Sequence, residues 1–229
     1  AALSHIKHSK KKIEKLKSAY LGKDFKDNQI KDAIRFYKLE PLKLSSIDIY
    51  VAKKLHEGKV VGLFNGKMEF GPRALGNRSI LSRATDPKIN NSLNKKLKRT
   101  EFMPFAPITL AEQKHKMYFD SKKGSLAGKY MTMTYNCSKK MKKISPAAVH
   151  VDGTARPQFV DAKYNLHLYR ILFEYFKISK IPNLINTSFN MHEEPIVYTP
   201  KDAIRAFLQS EIDYLYIGNY LISKKLIKN

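Results

Sequence analysis

The sequence carries a single cysteine, Cys137, so no disulfide can close within the chain, and a reducing cytoplasm is the expected compartment. No uncharged apolar run approaches the ~18 residues that span a bilayer, so no membrane partner is expected. The opening Ala-Ala-Leu-Ser-His-Ile-Lys-His lacks the apolar stretch of a secretory signal. Phosphate-binding signatures of the Walker A and GxGxxG kinds are missing. His115, His150, His167 and His192 have no i,i+4 carboxylate partners, and no Cys/His ligand spacing occurs, so no metal site is expected. Acids are scarce, 20 against 43 lysines and arginines. With so few carboxylates, the chemistry within reach is electrostatic handling of phosphate rather than general acid–base work.

What the chain does have is positive charge. The formal net charge is +23, which admits nucleic-acid, anionic-membrane or nucleotide partners. Most of it is lysine dispersed along the chain, and the interleaved glycine-aromatic pattern of RNA-binding modules is absent. Arginine is the more informative cation. Of the eight arginines, five (Arg73, Arg78, Arg83, Arg99 and Arg156) fall in or beside segments punctuated by glycine and proline. A planar fork placed where lysine is the default implies that its geometry matters.

At 229 residues and 43% hydrophobic content the chain can bury a sizeable core. Residues 1–46 read as a helical lead-in, the tail of a preceding domain or a linker, with apolar residues at helical spacing over 1–20 and again over Asp27–Tyr37. Residues 47–229 read as the main domain. Ser46 is placed to cap a helix from Ile47 to Leu55 that Gly58 closes. Val60–Phe64 and Lys67–Phe70 flank Asn65-Gly66 and predict a hairpin, followed by a strand at Ser79–Ala84. A basic helix is expected from Asp86 to about Lys98, then a strand at Ile108–Leu110, helix over 112–120, a strand at Lys129–Tyr135 and a basic loop at Lys139–Lys143. Ala147–Val151 and Pro157–Val160 are expected as strands around the turn Asp152–Arg156. Tyr164–Lys177 reads as an amphipathic helix, Asn183–Ile185 as a strand, and Thr199–Ser210 as a helix with Pro200 at its first position. Asp213–Ile217 and Tyr220–Ser223 close the chain as a hairpin. The elements mix without regular alternation, which places the fold in the α/β class of the mixed α+β kind, with a largely mixed sheet.

Four segments concentrate chemistry. Met68–Ser79 packs Gly71, Pro72, Arg73, Gly76, Asn77, Arg78 and Ser79 behind an apolar strand and reads as an anion cradle, or else as a turn whose arginines sit in solvent or pair with Glu69. Lys95, Lys98, Arg99, Thr100 and Glu101 precede a double-proline run. Asp152–Gln158 offers a carboxylate, a hydroxyl and the Arg156 guanidinium. Asn186-Thr187-Ser188-Phe189-Asn190 sets small polar side chains just after a buried strand, where hydroxyls and backbone N–H groups can meet phosphate, or where a plain turn can lie.

Together with Phe105-Ala106-Pro107, Glu194-Pro195-Ile196-Val197 and Asp202-Ala203-Ile204-Arg205, these segments resemble the C-terminal, YrdC-like domain of the O-carbamoyltransferases of the nodulation and antibiotic-tailoring (NodU/CmcH) type, from about residue 47 to 224. The resemblance implies a twisted mixed sheet with flanking helices and a concave basic cleft. It implies binding of ATP, Mg²⁺ and carbamoyl phosphate, formation of carbamoyl-adenylate with release of pyrophosphate, and transfer to a hydroxyl acceptor by an N-terminal domain. That domain, absent from this sequence, is where iron is expected. Carried over by motif, Arg73, Arg78 and Arg156 would be catalytic, with Arg73, Arg78 and Ser79 at the phosphate and carbamoyl end. Lys98 and Arg99 would hold triphosphate oxygens, and Asn186, Thr187 and Ser188 the nucleotide phosphates. Two positions depart from the family pattern: Met103 stands where an arginine often precedes the Pro-Phe-Ala-Pro run, and Glu193 where a glycine usually precedes Glu-Pro. The alternatives kept beside this reading are a basic RNA-binding module of the same fold and an inactive structural remnant.

Overall fold

The structure is a computed structural model that describes residues 18–96 and 105–227. Side-chain alternation along the strands sets its layers. Val61 and Leu63 of β1 (Val61–Phe64) join Leu81 of β2 (Arg78–Arg83) in one apolar cluster, while Phe64 and Ile80 of the same strands join another. The sheet between these clusters also contains β3 (Ala106–Leu110), β6 (Gln158–Val160), β7 (Asn183–Ser188), β8 (Tyr214–Ile217) and β9 (Tyr220–Ser223). It has seven strands in the order β6-β3-β7-β2-β1-β8-β9, parallel between β6 and β3 and between β1 and β8 and antiparallel elsewhere. A separate two-stranded ladder joins β4 (Tyr135–Asn136) to β5 (Thr154–Ala155). The expected mixed sheet is present.

Helices cover both faces. Val51, Ala52 and Leu55 of α2 (Ile47–His56) and Leu168, Ile171, Leu172 and Tyr175 of α6 (Leu166–Ser179) fill one cluster. Ile30, Ala33 and Ile34 of α1 (Asp27–Phe36) and Ala203, Ile204, Ala206 and Phe207 of α7 (Pro200–Gln209) fill the other. Shorter helices α3 (Ile89–Lys96), α4 (Lys114–Met117) and α5 (Lys139–Ile144) lie in the connections. Residues 18–46 pack onto this body: the Tyr20 hydroxyl donates to the Leu75 carbonyl and the Leu42 N–H to the Leu221 carbonyl, each at 2.8 Å.

Several local expectations give way to tertiary pairing. Lys67–Phe70 forms no hairpin with β1, because β2 takes that side of the strand. Its backbone pairs instead with the lead-in: Gly22 N–H to Met68 O at 2.9 Å, Met68 N–H to Lys23 O at 3.1 Å and Phe70 N–H to Ala19 O at 2.7 Å. Of Lys129–Tyr135 only Tyr135, the first residue of β4, is strand, and Ala147–Val151 holds a 3-10 turn at Pro146–Ala148 rather than a strand. Lys139–Lys143 is helical, not loop, because Ser138 caps it by accepting from the Met141 N–H and Met141 is buried beneath it. β7 runs on to Ser188, so Asn186, Thr187 and Ser188 stand on the strand itself, not in a loop after it. The helix expected over 1–20 falls almost wholly outside the described residues.

The start of α7 shows how local chemistry secures an element. Thr199 Oγ1 accepts from the Asp202 N–H at 3.1 Å, and the Asp202 carboxylate accepts from the Thr199 N–H and hydroxyl, each at 2.8 Å. Burial raises the Asp202 pKa, but the hydrogen bonds from Thr199 and Tyr198 outweigh it and hold the carboxyl below the ordinary 3.8. A lowered folded pKa contributes stability above the unfolded value and loses it as pH falls through the folded one. Thr199→Ala is expected to lower the unfolding free energy by about 1 kcal/mol near neutral pH. In chemical denaturation the gap to the parent chain should shrink as the pH drops below the ordinary aspartate value.

Candidate functional site

Strand direction gathers the polar segments at one end of the sheet. β2 and β3 run antiparallel to β7, and β6 parallel to β3, so β2, β3 and β6 begin where β7 ends. There Ser79 faces Ser188 and Ala106 faces Asn186 across the ladders. The loop before β2, Phe105 at the head of β3, the Arg156 turn before β6 and the loop after β7 meet around a cavity of about 420 Å³. Arg73, Arg156, Thr187, Ser188, His192 and Glu193, with Asn186 and Asn190, give its polar lining; Phe105, Ala106 and Met131 are among its apolar walls.

Arg73 and Arg156 decide the electrostatics. Burial, and then the charge of Arg73, lowers the Arg156 pKa, so the two guanidiniums are close enough to repel. The Arg156 Nε is buried without a hydrogen-bond partner. Two cations held against each other in a partly desolvated cavity favour an anion between them. Arg73 and Arg156 also line a second cavity of about 510 Å³, whose wall is mainly apolar and includes Phe70, Leu75, Tyr130 and Met131.

The segment Met68–Ser79 is a cradle, but its occupant is internal. Glu69, only 4% exposed, accepts with Oε1 from the N–H groups of Leu75 (2.6 Å), Asn77 (3.0 Å) and Arg78 (3.2 Å). Arg78 is fully buried, stacks 3.7 Å above the Phe64 ring and donates to the carbonyls of Lys23, Asn65, Gly66 and Asn77. Burial brings its pKa down to about 10, with Glu69 and Asp24 opposing the shift. Arg78 is therefore an internal clamp rather than a lining of the phosphate end, and the catalytic role expected for it is withdrawn. Ser79 is likewise buried, with Oγ accepting from the Gly76 N–H at 2.8 Å, and does not line the cavity.

Of the strand residues, Thr187 and Ser188 reach the cavity partly exposed. Asn186 is 2% exposed, and its Nδ2 donates to the Ala74 carbonyl at 3.1 Å and to Gln158 Oε1 at 3.2 Å. With Nδ2 it ties the Arg73 loop to β6 and β7, while it also lines the cavity and its Oδ1 is buried without a hydrogen-bond partner. Asp152 and Thr154 bond to each other, leaving Arg156 as the contribution of that turn. Lys98 and Arg99 lie outside the described residues. The sequence reading missed Met131, His192 and Glu193. His192 and Glu193 follow Asn190 closely enough to have been included with it, whereas nothing in the sequence marked Met131. Met131 and Glu193 have φ of 54° and 59°, two of the five left-handed non-glycine residues among those described. Such strained positions gather at functional sites. At Glu193 the backbone keeps the course a glycine would take, although the residue has changed.

A family model, carbamoyltransferase C-terminus, matches residues 52–224. This chain belongs to the carbamoyltransferase C-terminal family. An uncharacterized protein of Methanocaldococcus jannaschii is 42% identical over 76% of this chain and 28% of its own length. The nodulation protein NolNO of Sinorhizobium fredii is 32% identical over 93% of the chain and 32% of its own length. NolO of Bradyrhizobium diazoefficiens is 37% identical over 73% of the chain and 31% of its own length. The chain thus spans about a third of these curated relatives. Among solved structures, full-length HypF in a phosphate- and nucleotide-bound form superposes with a TM-score of 0.56 at 20% identity, over 81% of this chain and 22% of that one. That likeness shows a shared fold.

Within Met68–Ser79, burial therefore separates an internal arginine from one that lines the cavity. Arg78→Lys is expected to destabilise the chain by about 3 kcal/mol, since an ammonium cannot reach the same carbonyls and leaves several buried without donors. Arg73→Lys, at an exposed position, should change stability by less than about 0.5 kcal/mol. Denaturant unfolding of the two variants checks the contrast.

Proposed function

We propose that this carbamoyltransferase domain binds carbamoyl phosphate and ATP in the Arg73–Arg156 cavity and forms carbamoyl-adenylate. The observation that carries the reading is the pair of mutually repelling guanidiniums lining one cavity together with Thr187 and Ser188. In the proposed reaction, water releases phosphate from carbamoyl phosphate. A carbamate oxygen then attacks the α-phosphorus of ATP, and pyrophosphate departs with the bonding electron pair. Arg73 and Arg156 neutralise oxygens as charge shifts between phosphorus centres, and Thr187 and Ser188 orient them. Transfer onward to a hydroxyl belongs to the part of the longer relatives that this chain does not span.

The described residues hold no group of three or more His, Cys, Asp or Glu that could bind a metal. Mg²⁺ fits this donor set as an ion carried by nucleotide phosphates, with Glu193 the carboxylate on the cavity wall. Support for a nucleotide substrate also comes from the fold shared with HypF, solved with phosphate and nucleotide bound. The net charge of +23 motivates a second reading, RNA binding.

Pyrophosphate release from ATP and Mg²⁺ by this chain is expected to require carbamoyl phosphate. Arg156→Ala should lower it by about 10- to 100-fold, the value of a charge-assisted contact, without altering the circular dichroism of the fold. Release that ignores carbamoyl phosphate, or that survives Arg156→Ala, would overturn the proposal. Steeply salt-dependent RNA binding without ATP chemistry would put the second reading in its place.

A further inference from the structure

We propose that Glu69 is a positioning residue for Arg73, its buried carboxylate holding the loop that keeps the Arg73 guanidinium beside Arg156. The inference rests on Arg73 as an anion-binding residue and adds how that residue is held. An ionised carboxylate in the interior is costly unless hydrogen bonds and a counter-charge offset it. Glu69 has both: three N–H groups converge on Oε1, and the buried Arg78 lies within its field.

Those donors belong to Leu75, Asn77 and Arg78, immediately after the cavity-lining Pro72, Arg73 and Ala74. The carbonyls of the same stretch are tied from other directions, Ala74 by Asn186 and Leu75 by Gln158 and Tyr20. At the other end Phe70 N–H bonds to Ala19 O. Arg73 therefore sits on a short span between two anchors, and Glu69 supplies the acceptor for the N–H groups of the second.

Gly76 explains why the anchor can be so compact. Its φ of 108° turns the chain between two of the N–H groups that meet Glu69, and a Cβ there would stand 2.4 Å from Leu168. Glu69 Oε2 is buried without a donor, so an amide at this position would place its NH₂ where no acceptor waits, or turn it toward three N–H groups. Glu69→Gln is thus a near-isosteric change that disturbs the anchor specifically.

The test measures calorimetric binding of carbamoyl phosphate and of inorganic phosphate to the parent chain, Glu69→Gln, Arg73→Ala and the double variant, with native-state hydrogen exchange on the first two. Glu69→Gln is expected to weaken both anions about tenfold. The double variant should bind no more weakly than Arg73→Ala alone, as expected when one residue acts through the other. The amides of Leu75, Asn77 and Arg78 should exchange faster in Glu69→Gln while those of α7 do not. Additive losses, or unchanged exchange at those three amides, would overturn the proposal. A parent chain that binds neither anion would instead overturn the reading of the cavity, leaving exchange to decide separately whether Glu69 holds the loop. Should Glu69→Gln fail to fold, Glu69→Asp, which keeps the charge but withdraws it by one methylene, carries the same expectations.

Discussion

The buried charges of Glu69 and Arg78 are the constraint on which the functional end of the molecule depends. The connection from β1 to β2 is too long to be a tight turn, and its backbone groups need partners once covered. Glu69 accepts from the N–H groups near the end of the connection. Arg78 donates to carbonyls near its beginning, at Asn65 and Gly66, and to Lys23 of the lead-in. One carboxylate and one guanidinium thus do for an irregular segment what a ladder does for a strand. Phe64 closes the arrangement by stacking beneath the guanidinium, where a planar cation has favourable contact with the ring.

This frame is what allows Arg73 to remain exposed and uncommitted to the interior while the residues on either side of it are fixed. The cavity it lines also contains Arg156, whose pKa is depressed by burial and by Arg73 itself. The two guanidiniums therefore repel each other across the cavity, a charge arrangement that an anion placed between them would relieve. Strain at Met131 and Glu193 on the cavity wall has the same character, a local cost sustained by a well-packed surround. Asn186 and Gln158 supply part of that surround, linking β7 and β6 to the carbonyls of Ala74 and Leu75.

The long elements were legible because their signal is periodic. α6 and α7, β1 and the β8–β9 hairpin follow from apolar spacing, capping residues and turn dipeptides, all properties of neighbouring residues. The failures share one cause. Lys67–Phe70 looks like a strand, but its pairing partner is Ala19–Lys23, some 45 residues earlier, and nothing local announces that. Site residues divided in the same way. Residue type and spacing pointed to Arg73, Arg156, Thr187 and Ser188, which do line the cavity. They pointed equally to Arg78 and Ser79, whose side chains turn inward to hold the backbone, and to Asn186, which does both. A motif records that a residue type is required, not whether the requirement is for the ligand or for the loop.

The distinction also bears on the large net charge. Most of the excess is lysine, and charges dispersed over a surface are screened within roughly 8–10 Å at physiological salt. They can draw anions toward the molecule, but they cannot select a position on it. Selection needs cations that are close together and set in a cavity, and Arg73 with Arg156, whose guanidiniums repel each other across one, meet those conditions. Arginine is scarce in this chain, and the motif places two of its eight only five positions apart, Arg73 and Arg78. One lines the cavity and the other holds the backbone of the loop that presents it. The charge pattern of the cavity is therefore a property of the scaffold as much as of the side chains that line it.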